Sequence, residues 1–115
     1  MRLEARKHLR DIQIAAERVE RFTRGKQLEQ YLADDMLRSA VERQFTIIGE
    51  ALSRLDQDSP AVAAAIPERG KIISFRNILI HGDAAVDERI GWGVVENYLA
   101  PLSSAVGQLL NARNN

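Results

Sequence analysis

Apolar side chains recur along this chain with the period of a helix. From Leu3 to about Arg24, Leu9, Ile12, Ala16, Val19 and Phe22 follow one another at spacings of three and four. Glu4, Arg10, Glu17, Arg18, Glu20 and Arg21 occupy the opposite side. Gly25 is placed to end this helix. Lys26 to Ala33 predicts a shorter helical piece with Leu28, Tyr31 and Leu32 as its contacts. Asp34 or Asp35 then caps a third helix from about Met36 to Leu55, with Leu37, Val41, Ile48, Leu52 and Leu55 as its stripe and Phe45 widening it. Ser59 followed by Pro60 starts one or two further turns as far as Ile66, with Ser as N-cap and Pro at N1. A fourth helix is expected from Lys71 to His81, with Ile72, Phe75 and Leu79 inward and Gly82 as its stop. The last, from Glu88 to Ala112, is capped by Asp87 and presents Val94, Val95, Leu99, Leu102, Val106 and Leu109 to the core. Pro101 lies inside it and predicts a kink. No segment alternates with period two and turn chemistry, so the expected architecture is all-α, an antiparallel bundle of four to five helices.

Composition narrows the functional classes. The 115 residues fit one domain, 1–115. There is no cysteine, which excludes a disulfide framework and a thiolate metal site and favours a cytoplasmic protein. No apolar run reaches membrane-spanning length. The formal net charge is zero, which argues against a broad basic face for duplex nucleic acid and places any nucleic-acid chemistry at a small local site. Near-zero charge also permits self-association.

Chemistry concentrates in Phe75-Arg76-Asn77-Ile78-Leu79-Ile80-His81-Gly82-Asp83. A guanidinium grips phosphate through parallel donors, and imidazole exchanges a proton near neutrality. Asn77 can hydrogen-bond phosphate, ribose or the histidine. Together they suffice for RNA cleavage without a metal or cofactor. His81 would take the 2′-OH proton or protonate the leaving 5′-oxygen, and Arg76 would stabilise the charged transition state. Helical geometry adds a constraint. Five positions at about 100° each separate Arg76 and His81 by roughly 140°, whereas Asn77 and His81 share a face. Either the helix unwinds near Gly82, or two copies of it complete one site across a two-fold axis.

Other residues read less sharply. Gly49 inside the third helix points to a close helix–helix approach. Glu50 beside it is either a surface residue or a partner for an arginine or histidine. His8 reads as a surface or boundary histidine, because no ligand or triad partner is spaced for it. No second metal ligand stands three or four positions from His81.

The stretch Arg76-Asn77-Ile78-Leu79-Ile80-His81 resembles the Arg-polar-x-x-x-His signature of HEPN domains, and the wider chain resembles the HepT-like toxin family. Supporting matches are Leu9-x-x-Ile12, Ala40-Val41-Glu42-Arg43, Ile48-Gly49-Glu50-Ala51, Ile66-Pro67, Val86-Asp87, Trp92 and Leu99-Ala100-Pro101-Leu102. The resemblance implies a HEPN-type bundle and a homodimeric, metal-independent endoribonuclease cutting mRNA or tRNA. Such a protein is the toxin of a toxin–antitoxin pair whose partner is an MntA-like nucleotidyltransferase. Arg76 and His81 become the catalytic positions, Asn77 the polar motif residue, and Glu50 and Asp83 supporting positions. An alternative is a catalytically weak helical HEPN module that binds a nucleotidyltransferase or a nucleotide. One position departs from the pattern. Much of the family continues His-x-Tyr, and that tyrosine is adenylylated by the antitoxin; here Asp83 stands in its place. Three readings stay open: neutralisation by binding alone, Asp83 as a mimic of the modified tyrosine's charge, or Asp83 as a group that orients His81.

Overall fold

In the computed structural model, which describes residues 1–82 and 87–112, six helices follow one another and no strand occurs among the described residues. They are α1 (Leu3–Thr23), α2 (Leu28–Ala33), α3 (Asp35–Asp58), α4 (Pro60–Ala63), α5 (Arg69–His81) and α6 (Glu88–Asn111). The all-α bundle expected from the periodicity is the observed architecture. None of these helices is long and apolar enough to cross a membrane.

The central element is α3. It packs along α1 on one side and α5 on the other, while α6 lies against α1. Ala5, Ala15 and Ala16 thin the inner face of α1, so that Leu9, Ile12 and Val19 reach the core without pushing the helices apart. On α3, Val41, Phe45, Ile48, Leu52 and Leu55 are fully buried, following the predicted stripe. Phe45 meets Phe75 of α5 edge to face, ring centres 5.6 Å apart. Fully burying a side chain of this kind contributes about 1.5–3 kcal/mol, so this shared seam is a main support of the bundle.

Local signals explain the starts of three helices. The Asp34 carboxylate accepts from the Leu37 N–H at 3.0 Å, and that of Asp87 from the Arg89 N–H at 3.0 Å. Gln27 and Gln30 form a reciprocal cap on α2. Arg38 reaches back from α3 to the Tyr31 and Leu32 carbonyls, satisfying the C-terminal end of that short helix. Ser59 precedes Pro60 as expected, yet its hydroxyl makes no capping bond and has no partner among the described residues. Of the apolar residues assigned to α6, Leu109 is only half-buried, and Leu110 takes the core position instead. It continues Leu99, Leu102 and Val106 by a step of four rather than three. The helix also carries Pro101 in its interior without ending there.

At the junction of α2, α3 and α6, Tyr31 is fully buried and packs on Trp92 with ring centres 5.2 Å apart. Gly91 makes room for it: a Cβ there would lie 2.9 Å from the Tyr31 hydroxyl oxygen and 3.4 Å from Phe75 Cζ. This junction anchors the start of α6 against the body of the bundle.

Candidate active site

The crossing of α3 and α5 places Arg76. A Cβ added to Gly49 would lie far inside contact with Cβ and Cγ of Arg76, so the arginine stem runs directly over the glycine backbone. The close approach expected at Gly49 is therefore observed, and the group it admits is the stem of the motif arginine. With no side chain beneath it, Arg76 lies down along α3 instead of projecting to solvent. Its side chain is only 20% exposed.

The next residue on α3 fixes the guanidinium. One Nη of Arg76 donates to Glu50, and the other donates to the Asn77 side-chain oxygen at 2.9 Å. Glu50 also accepts from Arg54 Nε at 3.1 Å. That hydrogen bond is the main reason the Glu50 carboxyl is held below its usual range; it outweighs desolvation, and the charge of Arg76 adds to it. Of the two sequence readings of Glu50, the structure selects the partner of an arginine. The Nε of Arg76 is buried without a partner among the described residues. The guanidinium is thus oriented by two acceptors but not saturated, and a guanidinium carries five N–H donors.

Arg76, Glu50 and Arg54 face a groove of about 560 Å³ between α1, α3 and α5. Lys7 and His8 of α1 and Arg43 of α3 line it as well. His8 is a boundary histidine, within the expected reading: its Nε2 lies 3.4 Å from an Asp58 carboxylate oxygen, and its side chain is 13% exposed. Asp58 lies fifty positions away, beyond the reach of local spacing. The pairing of Glu50 with Arg54, in contrast, was legible as an i,i+4 spacing.

His81 is placed differently. α5 remains helical through it, and the Gly82 N–H donates to the Ile78 carbonyl at 2.6 Å. The helix therefore does not unwind before the histidine. His81 is exposed and does not line the groove that holds Arg76, in keeping with their angular separation on a regular helix. Asn77 is exposed on the same side as His81, so it joins the two: its oxygen holds Arg76, and it stands one turn before the histidine. Asp83 lies outside the described residues. Among the described residues no group of three His, Cys, Asp or Glu side chains is placed to hold a metal ion.

This arrangement fixes one guanidinium at the groove and leaves the motif imidazole exposed on another side of the same helix. The chain matches the family described as "Ribonuclease HepT-like" over residues 12–109. It is 33% identical over 109 residues to "Probable ribonuclease HepT" of Thermococcus cleftensis, covering 95% of this chain and 98% of that one. It is 30% identical over 98 residues to "Putative RNase MJ1380" of Methanocaldococcus jannaschii, covering 85% and 89%. No solved structure matches significantly. The motif arginine and histidine therefore stand within a match that runs through nearly all the helices, and on that breadth the chain belongs to the HepT-like ribonuclease family.

Proposed function

We propose that this chain is a metal-independent endoribonuclease, the toxin of a toxin–antitoxin pair, with its site built on Arg76 and His81 within one HEPN domain spanning 1–115. The observation that carries the reading is the state of Arg76. It is laid over Gly49 and held by Glu50 and Asn77 while its side chain lines the groove. Fixed donors aimed where charge develops need no reorganisation during reaction.

In the proposed reaction an imidazole takes the proton of a ribose 2′-OH. The 2′-oxygen attacks phosphorus, the bond from phosphorus to the 5′-oxygen breaks, and that oxygen receives a proton. The products are a 2′,3′-cyclic phosphate and a 5′-hydroxyl. Arg76 stabilises the pentacoordinate phosphorane-like transition state, Glu50 and Asn77 position Arg76, and His81 transfers the proton.

The separation of Arg76 from His81 supports a homodimer in which each copy's histidine serves the cleft of both. The motif helix supports it further, because Ile78, three positions before His81 and on the same side of the helix, is 40% exposed. Two such helices facing one another would cover Ile78 and bring two histidines together, one as base and one as acid. The partner antitoxin is proposed to be an MntA-like nucleotidyltransferase acting in the cytoplasm. With Asp83 in the usual tyrosine position, neutralisation of this chain does not use that tyrosine's modification.

The test is cleavage of single-stranded RNA in EDTA by the wild-type protein, Arg76→Ala and His81→Ala. The expected products end in a 2′,3′-cyclic phosphate. Arg76→Ala should lower the rate by about 10²–10³-fold, and His81→Ala by about 10²–10⁴-fold. Equal inertness of all three proteins, with a nucleotidyltransferase still binding tightly, would instead support the helical binding module.

A further inference from the structure

We infer that Lys7 and Arg43 form a phosphate-binding track that holds RNA beside the scissile bond, a role that rests on the ribonuclease reading of Arg76. The groove next to Arg76 is lined by four cationic side chains, Lys7, Arg43, Arg54 and Arg76, against two carboxylates, Asp11 and Glu50. In a chain with zero formal net charge, that is a local concentration of positive charge in a concave surface, where it focuses the field.

The cations differ in state. Arg54 and Arg76 are both committed to Glu50. Lys7 and Arg43 are exposed and make no ion pair or hydrogen bond among the described residues. Two uncommitted charges thus stand in the same groove as an arginine oriented for one phosphate. Their placement follows from helix geometry. Arg43, Ile47, Glu50 and Arg54 recur at spacings of four, three and four along one face of α3. Eleven residues at about 1.5 Å each give a stripe of about 16 Å, more than a single phosphate occupies. Lys7 faces this stripe from α1, and Ile47 and Ile80 supply apolar surface within it.

The lining also says what is read. No Phe, Tyr or Trp lines the groove among the described residues, so it lacks the stacking platform on which proteins lay bases. Free cations without aromatic rings recognise the sugar–phosphate backbone and carry little base information. The occupant is the backbone of single-stranded RNA continuing from the scissile phosphate. An acidic protein surface would need the charges but not their continuity with Arg76.

The experiment compares Lys7→Gln/Arg43→Gln with a control pair of equal charge change outside the groove, Arg10→Gln on α1 and Arg24→Gln just after it. Binding of a labelled mixed-sequence single-stranded RNA is read by fluorescence anisotropy over a salt series, with His81→Ala added to each protein to prevent cleavage. KM and kcat are measured without it. Two lost phosphate contacts should weaken binding about tenfold at moderate salt and reduce the salt slope by about 1.4. KM should rise by a similar factor with kcat within about twofold, and the control pair should match wild type in all three readouts. Wild type that cleaves RNA, with the groove pair unchanged in KM and slope, would overturn the track alone and leave the groove to an acidic protein partner. An equal loss in the control pair would assign the effect to net charge and overturn it too. Wild type that neither binds nor cleaves RNA would remove the ribonuclease reading and the track together.

Discussion

Glu42 and Glu50 lie eight residues apart on α3, are both half-buried, and have opposite electrostatic fates. Glu50 sits between two arginines, Arg54 and Arg76, and its carboxyl is held below the usual range. Glu42 faces the junction of α2, α3 and α6, where burial first, and then the hydrogen bond and charge of Glu88, push it up to about 7 against the pull of Arg38. The protonated Glu42 can donate to Glu88, which two carboxylates cannot do. Each region also has a glycine at a helix crossing: Gly49 beneath Arg76, and Gly91 beneath Tyr31 and Phe75. One glycine admits a charged stem whose guanidinium is held by Glu50 and Asn77. The other admits an aromatic ring whose hydroxyl is buried without a partner among the described residues. The same device thus serves a charged groove at one crossing and a packing junction at the other, and neighbours rather than residue type decide which.

The sharpest way to break this contrast is Gly49→Ala. The added methyl meets the base of the Arg76 side chain rather than its flexible end, so α3 and α5 must separate or Arg76 must leave the groove. The expected cost is about 2 kcal/mol of stability, within the range for overpacked cores. Cleavage should fall more than about tenfold even at temperatures where the protein is folded, since misplacing a catalytic group by about an ångström can cost 10²-fold. Urea unfolding alongside an RNA cleavage assay checks it, and near-wild-type values in both would show that Arg76 needs no support from the crossing.

Glu50→Gln separates positioning from packing. The Glu50 side chain is 44% exposed, so solvent screens its ion pairs and they contribute little to stability. Activity should nevertheless drop by about tenfold, mostly in kcat, because Arg76 loses the acceptor that orients it. The folded pKa of Glu50 is depressed, so its stabilising contribution is present above the unfolded value and is lost only as pH falls through the lower folded value. Unchanged kcat in Glu50→Gln would reduce the carboxylate to a surface charge.

Glu42→Gln should have the smallest effect and the opposite pH signature. Its folded pKa of about 7 lies above the ordinary carboxylate value of 4.5, so the native state holds the proton more tightly. Stability is therefore fully supported below about 4.5 and declines as pH rises through 7. Partial exposure screens the effect to about 1 kcal/mol. Glutamine keeps a donor toward Glu88 without ionising, so the variant should gain about that much at pH 8 and lose the slope. Urea midpoints at pH 5 and pH 8 measure it; an identical slope in wild type and variant would mean that Glu42 does not bind the proton.

The particular residues show how far local information reached. The six-residue motif, the stripe of α3 and the caps at Asp34 and Asp87 were legible because each depends on neighbours within a turn or two. The period points Leu109 inward and Leu110 is the buried residue, because two adjacent leucines at a helix end fit the period almost equally well until α1 packs against α6. Local spacing gives His8 no partner because Asp58 is supplied by a different helix. Buried Gln44 belongs to the same class: no period marks a polar residue that the packing of α3 encloses.

Periodicity by itself determined that the chain forms helices, which sides turn inward, and that Arg76 and His81 diverge by roughly 140° on a regular helix. All three are properties of backbone geometry repeated along one element. Tertiary structure alone decided that Glu50 rather than solvent receives Arg76, that Gly49 lets the arginine lie flat, and that Lys7 and Arg43 share its groove. The physical reason is that charge–charge and steric terms act between elements remote in sequence, and their sign depends on which helices the core brings together.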